Sequence, residues 1–169
     1  ARYAALFFEN QAGKFGGQTG KVEAQVDVII RIASLFYIEV EGTVTRSAQI
    51  SDLSVVRQNA NRPLIVEAAF ANTGSVDLQA ASTFDIMDSS GMVVARGEFN
   101  DVYTFPSDKG TLKARWKEEI PQGTYDLIIT SDLGKAQADA GFKRGPVLTR
   151  EATIVIGADG GVQSVGELH

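Results

Sequence analysis

Leu64-Ile65-Val66-Glu67-Ala68-Ala69-Phe70-Ala71 runs into Asn72-Thr73-Gly74-Ser75, and this stretch decides the fold class. Side chains of an extended chain alternate faces, so Leu64, Val66, Ala68 and Phe70 share one face. Asn72 to Ser75 then turns the chain. Upstream, Gln58-Asn59-Ala60-Asn61-Arg62-Pro63 makes another turn, and Pro63 sits at a strand start, where its missing N–H breaks no ladder. The same unit, a short alternating run between turn residues, recurs on both sides. Residues 49–57 precede it. Residues 79–88 follow, with Phe84 and Ile86 on one face. Ser89-Ser90-Gly91 predicts a tight hairpin turn with Gly91 at positive φ. Next come residues 92–99 and a connection through Tyr103, Phe105 and Pro106. Residues 111–118 follow, with Leu112, Ala114 and Trp116 on one face. The turn Pro121-Gln122-Gly123 leads to residues 124–132, and the last strand lies within 142–157. Turns this closely spaced, without intervening helical periodicity, argue for an antiparallel β-sandwich of the immunoglobulin-like kind.

Upstream of this set the pattern differs. Residues 3–8 pair with residues 22–40 across a loop holding Gly13, Gly16, Gly17 and Gly20. Val22, Ala24, Val26, Val28 and Ile30 fall on one face, and Glu23, Gln25 and Asp27 on the other. From Ile29 onward both faces are apolar, which suits a strand buried on two sides or one passing between domains. Two strands alone do not make a stable unit. More strands are expected, from an upstream piece or from another chain. Ala1-Arg2-Tyr3 leads straight into Ala4-Ala5-Leu6-Phe7-Phe8, carries no signal-peptide pattern, and reads as the middle of a strand. The expected division is therefore 1–42 as the C-terminal hairpin of an incomplete first β-domain, 43–47 as linker, and 48–157 as the sandwich. Residues 158–169 are a flexible tail or a short appended strand at 162–165.

Composition excludes several functions. The 169 residues are 44% hydrophobic, enough for one large domain or one domain and part of another. The net charge of −5 disfavours the basic footprint that nucleic-acid binding requires. Cysteine is absent, which removes disulfides, thiolate zinc sites and cysteine nucleophiles together. The one histidine is His169, so no histidine triad or multi-histidine metal site can be built from this chain. The longest strongly apolar run, residues 28–40, carries Arg31, Ser34 and Glu39, and is too short and too polar for a spanning helix.

The remaining polar residues do not assemble a reaction. Asp85 with Asp88, and Asp126 with Asp132, lack the dense oxygen-ligand loop of a calcium site. Ser89, Ser90 and Ser107 have no base to activate them. Gly157-Ala158-Asp159-Gly160-Gly161 is a turn, since no lysine–serine pair and no helix follow. Glu118 and Glu119, as strand neighbours, point to opposite faces and do not converge. No enzyme activity and no cofactor are expected.

Three features in order carry a resemblance. The first is Ile32-Ala33-Ser34-Leu35-Phe36-Tyr37-Ile38-Glu39-Val40-Glu41-Gly42 before a linker. The second is Phe70-Ala71-Asn72-Thr73-Gly74 followed by Phe84-Asp85-Ile86-Met87-Asp88-Ser89-Ser90-Gly91. The third is Trp116 followed by Ile120-Pro121-Gln122-Gly123-Thr124-Tyr125-Asp126-Leu127. Together they resemble bacterial envelope proteins with paired immunoglobulin-like domains, in architecture the periplasmic pilus-assembly chaperones of the PapD type. The resemblance implies a periplasmic, secreted or cell-surface location. It implies a protein partner bound by strand addition, or self-association into a homo-oligomer. The residues matching the chaperones' donating strand are Val26, Val28, Ile30 and Ile32. Strand addition is physically sensible, because an edge offers free N–H and C=O groups while alternate side chains fill pockets. The chaperones' anchoring basic pair would fall in the upstream piece, outside these residues, and Arg31 is the only basic residue in the run. Tyr125, opening its strand after a proline turn, is expected to make a tyrosine-corner bond to nearby backbone.

A second reading is a carbohydrate- or ligand-binding accessory domain, which needs exposed aromatics in a row. Tyr3, Tyr37, Tyr103 and Trp116 are the candidates. The spacing of Trp116 with Leu112 and Ala114 places it in the core instead.

Overall fold

The computed structural model of the chain describes residues 2–11, 29–40, 42–135 and 145–169. Their elements are eleven strands in order: β1 (Arg2–Gln11), β2 (Ile29–Ile38), β3 (Ala48–Val56), β4 (Leu64–Asn72), β5 (Leu78–Met87), β6 (Val93–Glu98), β7 (Val102–Thr104), β8 (Lys109–Trp116), β9 (Gly123–Asp132), β10 (Val147–Ile156) and β11 (Val162–Val165). Every pairing is antiparallel. The chain divides into two compact units, Ala1–Thr43 and Val44–His169.

The larger unit is built from two sheets. One has the order β3-β4-β8, the other β11-β10-β9-β5-β6, with β7 also pairing β5. Alternation supplies the inner faces. Leu64, Val66, Ala68 and Phe70 of β4 are buried, as are Leu112 and Ala114 of β8. The facing sheet contributes Leu78, Ala80, Phe84 and Ile86 of β5, Leu127 and Ile129 of β9, and Ala152, Ile154 and Ile156 of β10. One polar pair interrupts this core, with the Ser82 and Ser131 hydroxyls 2.7 Å apart and satisfying each other.

Corners are closed by side chains that the motifs already contained. Buried Asn72 donates from Nδ2 to the carbonyls of Val76 (2.8 Å) and Thr104 (3.2 Å), and its Oδ1 accepts from the Gly74 N–H (2.9 Å). A Cβ on Gly74 would stand 2.4 Å from the Thr45 carbonyl oxygen, so only glycine fits. Tyr125 donates its hydroxyl to the Pro121 carbonyl at 2.8 Å, the tyrosine-corner bond expected from the sequence. In the β5–β6 hairpin Gly91 takes φ +82°, also as expected. There Asp88 Oδ1 accepts from the Ser90 hydroxyl, the Ser90 N–H and the Met92 N–H. These bonds, the Ser90 hydroxyl foremost, hold the Asp88 carboxyl below its ordinary pKa.

Three expectations change. Tyr103 was expected in a connection, yet residues 102–104 form β7 against Leu78–Ala80; three residues are too few to show a period. Glu118 and Glu119 lie past the end of β8 in an exposed connection, not on a strand. Of the two readings of residues 158–169, the flexible tail gives way to the appended strand. β11 pairs with β10, and His169 exchanges two backbone bonds with Glu151, both 2.9 Å.

The smaller unit is the β1–β2 hairpin, paired from Arg2↔Ile38 to Gln11↔Ile29. Its glycine loop and residues 22–28 lie outside the described residues. The two buried faces expected for β2 are not found within this unit, because a two-stranded ribbon cannot cover itself.

Two variants test these packing arguments. Tyr125→Phe removes one net hydrogen bond and is expected to lower stability in urea unfolding by about 1 kcal/mol. Burial, with the nearby Asp88 charge, raises the Tyr125 pKa above its ordinary value. A raised pKa gives stability that is present below about pH 10 and is lost as pH rises through the folded value. Stability therefore falls above about pH 10, and Tyr125→Phe should blunt that fall; an unchanged profile contradicts the assignment. Gly97→Ala would put a Cβ 2.4 Å from the Phe84 ring, which stands edge-on to Phe99 at 5.8 Å. Such overpacking is expected to cost roughly 1–3 kcal/mol, read from the same unfolding curves.

Candidate functional site

The hairpin register sorts its side chains into two faces, since directly opposed residues point the same way. Leu6, Phe8, Ile30, Ile32, Phe36 and Ile38 share one face. Tyr3, Phe7, Ile29 and Leu35 share the other, together with Glu9 and Arg31. All ten of these apolar and aromatic side chains are exposed; Phe7, Ile32 and Leu35 each keep more than 60% of their surface in solvent. Covering such a side chain fully is worth roughly 1.5–3 kcal/mol, so leaving all ten in solvent forgoes a large stabilisation.

One polar feature pins the ribbon. Glu9 and Arg31 are directly opposed, and Arg31 donates from Nη2 (2.6 Å) and Nε (3.1 Å) to Glu9 Oε2. Both partners are exposed, so the pair contributes little to stability. It favours the observed alignment, because a one-residue slip would move Arg31 to the other face.

Of the four expected partner-binding residues, Ile30 and Ile32 lie on the face with Phe8, opposite Asn10 and Phe8 respectively. Val26 and Val28 lie outside the described residues. Sequence reasoning named one strand and one parity. It did not name Leu6, Phe7 and Phe8 of β1, or Leu35, Phe36 and Ile38 of β2, although the signal was present: both parities of β2 are apolar from Ile29 onward.

Within the larger unit, the described candidates Tyr103 and Trp116 do not make a row of exposed aromatics. Trp116 faces inward with Leu112 and Ala114, opposite Leu64, and its Nε1 is buried. Tyr103 is exposed and donates its hydroxyl to Asp77 (2.8 Å), and it meets Phe105 edge-on at 5.4 Å and 90°. Perpendicular rings make a notch rather than a flat platform. Tyr3 belongs to the other unit, and the Tyr37 side chain lies outside the described residues. A shallow depression on the outer face of β4 and β8 is lined by Glu67, Asn100, Thr111, Lys113 and Arg115. Its Lys113 and Glu67 pair with each other. Among the described residues no group of three or more histidine, cysteine, aspartate or glutamate side chains could hold a metal ion, and no helix is long and apolar enough to cross a membrane.

No family model and no curated protein matches this chain.

Proposed function

We propose that the chain is a non-enzymatic protein-interaction or assembly module of the bacterial envelope, chaperone-like, whose β1–β2 hairpin offers a sheet edge to an incoming strand. The observation that carries this reading is the uncovered hairpin: apolar on both faces, with backbone donors and acceptors along its outer edges. A strand added to such an edge gains ladder hydrogen bonds and fills pockets with its alternate side chains. The strand order of the larger unit, β3-β4-β8 against β6-β5-β9-β10, is compatible with an immunoglobulin-like topology; the likeness to PapD-type chaperones rests on the sequence features alone. A periplasmic, secreted or cell-surface location belongs to the same reading. Self-association is the alternative source of the covering strand. A glycan-binding role rests on Tyr103 and Phe105 alone, and their perpendicular rings favour it less.

The test uses Ile30→Lys with Ile32→Lys in one chain. An apolar-reporting dye such as anilinonaphthalene sulfonate is expected to bind the native protein, and a peptide of alternating apolar residues, about as long as β2, to bind the same region. The double variant should lose most of both signals. Because the hairpin is a separate unit, the thermal transition of the larger unit should stay within about 2 °C, the size of change expected for surface substitutions. Undiminished peptide and dye binding in the double variant would sink the proposal.

A further inference from the structure

The sheet edges of the larger unit are closed in different ways. β3 is blunted by a bulge between Ser51 and Ser54, where Asp52 takes φ +51°. β8 is plugged by Asn100, whose N–H donates to the Lys113 carbonyl (3.0 Å) and whose Oδ1 accepts from the Lys113 N–H (2.6 Å). The β10 edge is covered by residues 162–169, and this cover is unlike the others.

Its root is firm. Val162 N–H donates to the Arg57 carbonyl (2.8 Å), Ala60 N–H to the Asp159 carbonyl (2.8 Å), and Gly157 N–H to the Gly161 carbonyl (2.8 Å). Beyond Val162 the hold weakens. Ile156 faces Val162 while Val155 faces Ser164, so one β10 step is matched by two residues. Ile154 faces Val165 while Glu151 bonds with His169, so three steps are matched by four residues. Each extra residue leaves ladder bonding incomplete. Gln163, Ser164, Gly166, Glu167 and His169 are exposed, and Val162, Val165 and Leu168 are only half-buried. The grip is therefore mainly backbone hydrogen bonds, including Gly166 N–H to the Thr153 carbonyl (2.7 Å).

We infer that residues 163–169 form an exchangeable strap, and that the β10 edge accepts the same strap from a second copy of this chain. The fit needs no new chemistry. The strap already matches this edge, so its bonds and half-buried contacts re-form between copies without loss. Seven extended residues reach roughly 23 Å at about 3.3 Å each, enough to cross to a neighbouring β10 edge from a fixed root. Effective concentration favours the strap's own edge, and protein concentration favours the exchange.

Cysteine substitutions read this directly, because the chain has no thiol of its own. Val155 and Ser164 are opposed, with neither side chain in the core. Opposed antiparallel residues have Cα separations of about 4.5–5.5 Å, within the disulfide range. Val155→Cys with Ser164→Cys in one full chain should close a disulfide within the chain, and failure to close overturns the strap placement. The decisive sample mixes Val155→Cys chains with differently tagged Ser164→Cys chains in a glutathione buffer. Exchange predicts covalent heterodimer well above its statistical share of half the dimers, rising with concentration. A statistical share, or no heterodimer, overturns the exchange.

Discussion

A strand has two faces, and most strands of residues 44–169 keep only one of them strongly apolar. That restriction lets two sheets cover each other and leaves polar side chains outside. β4 shows it most plainly, with Leu64, Val66, Ala68 and Phe70 inside and Glu67 outside in an ion pair with Lys113. The corners follow from the same demand. Once both inner faces are closed, the chain must cross between sheets without stranding backbone groups. Asn72 at one corner and Tyr125 at another each satisfy a carbonyl that the crossing leaves over.

The β1–β2 hairpin breaks the restriction. Its two faces carry Phe8, Ile32 and Phe36 on one side and Phe7, Ile29 and Leu35 on the other. A sandwich strand needs one cover; this ribbon needs two, and its edges need neighbours as well. That excess is the physical basis for reading it as a docking element. The β10 edge is a contrasting case within the same chain, where a backbone-held strap with little apolar anchoring does the covering. One unit is short of cover, and the other holds its cover loosely at one edge.

Much of the architecture was legible in advance because a period of two is a strong signal when one face is buried. β4, β5 and β9 were placed within a residue or so, and the turns at Gly91 and Pro121 carried their own chemistry. β7 was missed because Val102–Thr104 is too short to alternate. The strand at Val162–Val165 was legible as β, but its pairing with β10 depended on a bulged register that no local pattern encodes. At the candidate site, apolar residues on both parities of β2 were visible, and they imply two covering layers. What those layers are is a property of neighbours, so the uncovered state of Phe7, Ile32 and Leu35 could be learned only from the fold.

Hydrogen exchange of the whole chain at high dilution tests the central claim most directly. Protection scales with the free energy of local opening, so the two units should separate. Amides of β4, β5 and β9 should exchange slowly, while those of β1 and β2 exchange close to the rate of unstructured chain until a covering strand is supplied. Slow exchange in β1 and β2 matching that of β4, at the lowest concentration and with no added strand, would contradict the account.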